Sequence, residues 1–374
     1  MKKNLLMWDE TLFRDPDVFE IDYIPEQFNF RDTQMQSLVF QVRPGIRGGR
    51  PLNTICKGLP GTGKTTTIRK LFSEIENTTK KLVPVYINCQ MDNTKFAIFS
   101  QIYRKLSGHL PPASGTSFKQ ILDSVARMVL DEGIVLLVCL DDVNYLLYDK
   151  EINNVLYTLL RSHESHPGTR ISVIAIVSDM QVDLSREVDS RVYSVFRPTD
   201  IYFSPYTEDE VRNILHERIL QGLYSGVVTE KMLDIVVEQT MKSGDLRVGI
   251  DLLKRAALYA ENDARKYLNR DDICRAYEIS KYLHLTFTVR TLKDEEKALL
   301  KHIAEVALEG QEMTTGSVFK SAKKSMKIGY TRYYWMINKF DEMRLINLYY
   351  KEGRGRSRLI SLRYDPERVI ELIG

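Results

Sequence analysis

Gly58-Leu59-Pro60-Gly61-Thr62-Gly63-Lys64-Thr65 decides how the first half of the chain folds. It satisfies G-x-x-x-x-G-K-[ST] at every fixed position. It directly follows the strand-like Thr54–Lys57 and opens a helical pattern running from Thr65 to Glu76. Strand, glycine-rich turn and helix in that order form a phosphate-binding loop. The glycines let backbone N–H groups converge on β- and γ-phosphates with no Cβ in the way. The helix N-terminus adds its partial positive charge. Lys64 is expected between those phosphates and the Thr65 hydroxyl on Mg²⁺, with Gly58, Gly61, Thr62, Gly63 and Thr66 completing the grip on ATP or ADP.

A second element must hold the metal. Val135–Leu140 is a continuous apolar strand that runs into Asp141 and Asp142. Behind a phosphate loop, such a strand places Asp141 in the Mg²⁺ shell and Asp142 where a base would polarise water. Leu82–Asn88, Ile171–Val177 and Ile201–Phe203 are further strands, and helical patterns lie between them at Lys95–Leu106, Lys119–Leu130 and Ile152–Arg161. Near-continuous apolar strands alternating with helices predict an α/β fold with a parallel sheet covered on both faces.

After Pro205 the strand signal stops. Thr207–Arg218, Thr229–Lys242, Leu246–Glu261 and Arg270–Tyr282 read as helices, with Thr207 and Thr229 as N-caps and Glu210 completing a capping box with Thr207. The last stretch differs again. Helices are expected at Asp294–Leu308, Thr315–Met326 and Thr331–Met343, then two alternating segments, Ile346–Lys351 and Arg358–Tyr364. Three helices and a hairpin with a glycine-containing basic tip are the ingredients of a winged helix-turn-helix. The expected domains are a nucleotide-binding domain over 1–203, a helical domain over 204–285 and a winged helix over 286–374.

Composition narrows the function. A chain of 374 residues, 43% hydrophobic and 28% charged, has material for two or three cores. Its longest apolar run, Ile134–Leu140, is far short of a membrane span, so a cytoplasmic protein with no membrane partner is expected. The four cysteines lack the paired spacing of zinc or redox sites. The net charge of +3 is unevenly spread: Ser317–Arg363 carries 12 basic against 3 acidic residues. Concentrated in a winged helix, that excess predicts double-stranded DNA as partner. Arg332, Trp335 and Lys339 recur at helical spacing and share a face, with Asn338 beside them. Arg332 and Asn338 are expected to read base edges and Lys339 to meet phosphate. Arg354, Arg356 and Arg358 of the hairpin tip would lie on the backbone or in a minor groove.

Together these motifs resemble a AAA+ ATPase. More narrowly, nearly the whole chain is similar to the archaeal replication initiators related to the origin-recognition complex and the cell-division-cycle ATPase. Tyr23-Ile24-Pro25-Glu26 and Phe30-Arg31-Asp32 resemble the family's segment beside the adenine pocket. Phe203-Ser204-Pro205-Tyr206-Thr207 and Ile214-Leu215-His216-Glu217-Arg218 resemble the start of its lid, which implies Tyr206 and Arg218 bordering the nucleotide. Gly244-Asp245-Leu246-Arg247 resembles the second sensor, implying that Arg247 approaches the γ-phosphate. Asp189-Ser190-Arg191-Val192 resembles the arginine-finger segment, implying that Arg191 acts on a neighbour's ATP. The loop His109–Ser117 lies where such initiators carry a helical insertion that touches DNA. The resemblance implies origin DNA as ligand, with paralogous initiator subunits and the replicative helicase as partners.

Two positions depart from the family pattern. Asp142 stands where the family has Glu, and Ser178 where its first sensor has Asn. One methylene fewer withdraws a carboxylate by about 1.5 Å, and a displacement of about 1 Å costs on the order of a hundredfold in rate. A tight nucleotide binder with slow turnover is therefore expected. A nucleotide-switched transcription regulator and a non-hydrolysing partner subunit fit the same residues.

Overall fold

The computed structural model describes residues 11–25, 29–112, 115–178, 182–310, 313–326, 328–343, 345–350 and 358–374. Its two compact units are Met1–Tyr277 and Glu278–Gly374.

Five parallel strands build the sheet of the first unit: β1 (Thr54–Lys57), β2 (Leu82–Asn88), β3 (Val135–Asp141), β4 (Ile171–Val177) and β5 (Thr199–Tyr202). They lie in the order β2-β3-β4-β1-β5. Every residue of β3 and β4 is buried, as strands covered on both faces require. The helix Lys64–Thr78 turns Ile68, Leu71, Phe72 and Ile75 onto β1, β3 and β4, a spacing that puts all four on one stripe. Register then fixes the site. Lys57 pairs with Val177 and Asn88 with Asp141, so Gly58, Ser178 and Asp141 meet at the carboxyl ends of β1, β4 and β3. Open α/β sheets bind ligands at that edge.

Four helices follow: Glu208–Gly222, Glu230–Ser243, Leu246–Asn262 and Arg270–Ser280. The first starts on the Thr207–Glu210 capping box. Thr229 occupies the N-cap position of the second without a side-chain bond. Their core also takes in Leu12, Phe13, Val18 and Phe19, which the sequence assigns with the sheet. The fit there is close, since a Cβ on Gly222 would come within 2.3 Å of the Phe19 ring. The first residues described therefore pack with the helical lid, an arrangement set by tertiary contact that no local pattern encodes.

The second unit contains a helix, Leu283–Thr291, across which the expected boundary at 285 would cut. Then come Asp294–Leu308, Thr315–Met326 and Tyr330–Glu342, and the antiparallel strands β6 (Ile346–Tyr350) and β7 (Arg358–Leu362). A bridge from Thr314 to Leu359 ties the start of the second of these helices to β7. Tyr333, Ile337, Phe340 and Met343 are buried, as their spacing predicts. A terminal helix, Pro366–Ile373, packs on Asp294–Leu308. Among the described residues no helix is long and apolar enough to cross a membrane.

Candidate functional site

The phosphate loop is shaped by contacts from three directions. Lys64 is buried, and its ammonium donates to the carbonyls of Gly58 (2.7 Å) and Leu59 (2.8 Å). Burial lowers its pKa to about 8, against the pull of Asp142 and Asp141, because desolvation penalises the charged form. Among the described residues no carboxylate pairs with it. Thr62 closes the turn by donating to the Leu59 carbonyl at 2.8 Å. Gly63 is the N-cap of the helix that carries Lys64, Thr65 and Thr66. Gly61 has φ +74°, and a Cβ there would fall 2.2 Å from an Asp245 carboxylate oxygen, so only glycine lets lid and loop meet.

Asp141 gathers the metal-type donors. Thr65 donates to its Oδ2 at 2.7 Å, as does the Tyr86 hydroxyl at 2.6 Å. Burial and the adjacent Asp142 charge raise the Asp141 pKa. A buried carboxylate short of positive charge beside a hydroxyl is an oxygen-only set that suits a hard divalent cation. Among the described residues no group of three or more His, Cys, Asp or Glu could hold a metal alone.

Asp142 has the left-handed φ of +52°. Its Oδ1 accepts from Ser178 at 2.5 Å and its Oδ2 from the Gln90 amide at 3.2 Å. The two departures from the family pattern therefore meet in one hydrogen bond.

On the lid side, Arg247 and Asp245 form a paired head at the start of the helix Leu246–Asn262. The guanidinium donates to both carboxylate oxygens, at 2.6 Å from Nη2 and 3.0 Å from Nε. Asp245 also caps that helix, and it touches Gly61, which places Arg247 beside the loop. Tyr206 lies under the guanidinium of Arg31, 3.7 Å from the ring centroid. The resemblance implies Arg218 beside the nucleotide. Its guanidinium instead donates to the Val18 carbonyl at 2.6 Å and faces the Tyr23 ring, because the first described segment fills that side of the lid. Arg191 is exposed on the helix Ser190–Phe196.

In the second unit the face expected to meet DNA is partly turned inward. Lys339 is 4% exposed and pairs at 3.0 Å with Glu296, which is fully buried. It is therefore not a phosphate contact as the structure stands: the first helix supplies a carboxylate that spacing within the third helix cannot reveal. Arg332 donates to Glu295 through two nitrogens at 3.2 Å and stacks 4.5 Å from Trp335. The outward stripe consists of Tyr330, Tyr334 and Asn338, with exposures of 62% and 39% for the two tyrosines. Their rings stack 6.1 Å apart. Arg358 on β7 lies over Tyr334 and donates to Asn338 Oδ1 at 2.8 Å. Arg354 and Arg356 lie outside the described residues.

Two family models match successive stretches of the chain. Residues 47–179 match the AAA domain, and 212–278 match the Cdc6 AAA+ ATPase-type lid domain. ORC1-type DNA replication protein 6 of Halobacterium salinarum is 44% identical over 372 residues, covering 99% of this chain and 98% of the relative. The chain belongs to the ORC1-type DNA replication proteins. ORC1-type DNA replication protein 3 of Haloarcula marismortui is 46% identical over 370 residues, 98% of this chain and 97% of that one. The ORC1 protein of Aeropyrum pernix, solved in complex with DNA, shares the fold with a TM-score of 0.80 at 23% identity, covering 98% of this chain and 97% of that one. The ORC2 protein of the same organism, solved as ADPNP-ADP complexes, superimposes with a TM-score of 0.64 at 25% identity over 97% of both chains.

Sequence reading left Tyr86 and Gln90 out of this ORC1-type site, and it placed Arg31 and Asp245 in motifs without giving them a role. Tyr86 pairs with Cys139, two residues before Asp141 on β3, so its hydroxyl reaches that carboxylate through a register that is invisible before strand pairing is known. Arg31 sits in a segment whose resemblance is visible, but its contacts are long-range.

Proposed function

We propose that this ORC1-type chain is an adenine-nucleotide-switched initiator that binds duplex DNA at replication origins. Paralogous subunits and the replicative helicase are its partners. The observation that carries the nucleotide half is Lys64, a buried ammonium that donates to the loop's own carbonyls and pairs with no carboxylate among the described residues. Asp142 and Asp141 do not offset the burial of Lys64, and polyphosphate would add the further negative charge that returns its pKa toward the ordinary value.

Thr65 and Asp141 would hold Mg²⁺, which when bound offsets the charge of the β- and γ-phosphates. The chain's own residues do the rest. Loop N–H groups orient the phosphates, Asp142 accepts the proton of the attacking water, and Ser178 fixes the Asp142 carboxylate. Arg247 swings from Asp245 toward the γ-phosphate as the lid closes. Arg191 of one copy serves the ATP of a neighbour. Asp142 is short and already accepts two hydrogen bonds, so turnover is slow and the nucleotide acts as a state marker rather than a fuel.

The DNA half rests on the stripe Tyr330, Tyr334 and Asn338, on Arg358, and on the exposed Lys320, Lys323 and Lys324. Asn338 reads a base edge, Arg332 does so once released by Glu295, and Arg354 and Arg356 of the hairpin tip meet the backbone. With about five phosphates engaged, log K falls against log salt with a slope of about −4.5. Equilibrium titration of the full chain tests both halves. ADP binding that disappears in Lys64→Ala, with a salt-dependent affinity for duplex, is the expected outcome. Wild-type protein that ignores adenine nucleotides or duplex DNA would refute the corresponding half.

A further inference from the structure

Arg31 is 2% exposed, and among the described residues no carboxylate pairs with it. Its three nitrogens are instead spent on three carbonyls. Nε donates to Thr62 at 3.0 Å, Nη1 to Phe30 at 2.7 Å and Nη2 to Ser204 at 2.7 Å. The flat face lies 3.7 Å from the centroid of the Tyr206 ring. Thr62 belongs to the phosphate loop. Ser204 and Tyr206 belong to the short connection between β5 and the first lid helix, and Phe30 to the segment before the sheet. One buried fork thus joins three chain segments that a phosphate ligand and a moving lid must coordinate.

The Thr62 bond has a directional consequence. In a trans peptide the C=O of one residue and the N–H of the next point in opposite directions. The Thr62–Gly63 peptide is trans. A donor that holds the Thr62 carbonyl on the Arg31 side therefore turns the Gly63 N–H away from Arg31. On the same fork, Ser204 marks where the lid joins the sheet. A shift of that connection pulls on the guanidinium, and the guanidinium pulls on the peptide.

We infer that Arg31 is a positioning residue that aims the Gly63 N–H at phosphate and links that aim to the hinge of the lid. The inference rests on the nucleotide reading above. An arginine is needed because only a planar fork reaches three acceptors at once; lysine keeps the charge but presents it at one point.

The test uses the full chain with Arg31→Lys and Arg31→Met, titrated with ADP and separately with adenosine, alongside thermal unfolding without ligand. Loss of the fork that holds the Thr62 carbonyl weakens ADP binding about 10- to 100-fold in both variants. Adenosine has no phosphate to feel the loop, so its affinity stays within about twofold of wild type. ADP affinity unchanged in both variants overturns the inference. So does an equal loss for adenosine, which would place Arg31 at the base pocket, or failure of both variants to fold even with saturating ADP, which would make it a folding residue. Wild-type protein that does not bind ADP would instead remove the nucleotide reading itself.

Discussion

Ser178 donates to Asp142 Oδ1 at 2.5 Å, joining the ends of β4 and β3. Both residues are shorter than the Asn and Glu that the resemblance leads one to expect, and each reaches the other. Gln90 takes the remaining Asp142 oxygen, and the left-handed backbone at Asp142 fixes where the carboxylate starts. A carboxylate whose two oxygens are already taken by Ser178 and Gln90 is a poor acceptor for a proton from water, in keeping with the slow turnover proposed above.

Lengthening both side chains should restore the reach. Asp142→Glu combined with Ser178→Asn is expected to raise kcat for phosphate release on the order of tenfold. ADP affinity should stay within about twofold, because neither group belongs to the loop. A coupled phosphate-release assay reads the first and calorimetry the second. A fall in kcat in the double variant would count against the positional argument.

Lys64 gives a pH dependence with a definite sign. Its folded pKa of about 8 lies below the ordinary 10.5, so the free protein binds fewer protons than the unfolded chain. Above 10.5 the lysine is neutral in both states and costs nothing. As pH falls through 8 the free protein must charge a buried amine, and this contribution to stability is lost. Bound phosphate removes the penalty. The ADP-induced rise in Tm should therefore widen as pH falls from 10 to 8. At pH 8 binding should take up about half a proton, measured by calorimetry in buffers of different ionisation enthalpy.

The Lys339–Glu296 pair separates structure from DNA contact. Lys339→Met leaves a buried carboxylate unpaired and should cost about 3 kcal/mol or more in chemical denaturation. Lys339→Met with Glu296→Leu removes both charges and should recover most of that loss. The double variant should keep the wild-type salt slope for duplex binding, because Lys339 is buried and its charge is spent on Glu296. A slope shallower by about one unit would restore Lys339 as a phosphate contact.

In the proposed DNA complex, Glu295 would compete for the Arg332 guanidinium it now holds at 3.2 Å. Glu295→Gln should raise duplex affinity about threefold, the size of an exposed ion pair. The gain should vanish in an Arg332→Gln background, read by fluorescence anisotropy. A gain that persists without Arg332 would reflect general charge removal instead.

The nucleotide-binding sheet was legible because local pattern and global fold agree there. Val135–Leu140 and Ile171–Val177 are short, apolar and rich in Val and Ile, as buried strands are, and the glycine spacing before Lys64 follows one strand and opens one helix. The inward turn of Lys339 was not legible. Spacing places it on a face with Arg332 and Trp335, but only packing reveals that Glu295 and Glu296 lie opposite. The helix Leu283–Thr291 was hidden by its Thr and Val residues, which weaken helical propensity until packing decides. The terminal helix had readable signals, Asp365 as N-cap and Pro366 in the first turn, in a run too short to stand out. Arg31 was hidden for a different reason: its partners Thr62 and Ser204 come together only in the folded protein.

The most direct measurement is a footprint on origin-containing DNA from the protein's own chromosome, with ATP and with ADP, for wild type and Lys64→Ala. The expected result is protection of a defined site whose extent or affinity differs between the two nucleotides in wild type and not in the variant. Identical protection by wild type with ATP, with ADP and with neither would contradict the claim that the nucleotide held at Gly58–Thr65 governs DNA binding.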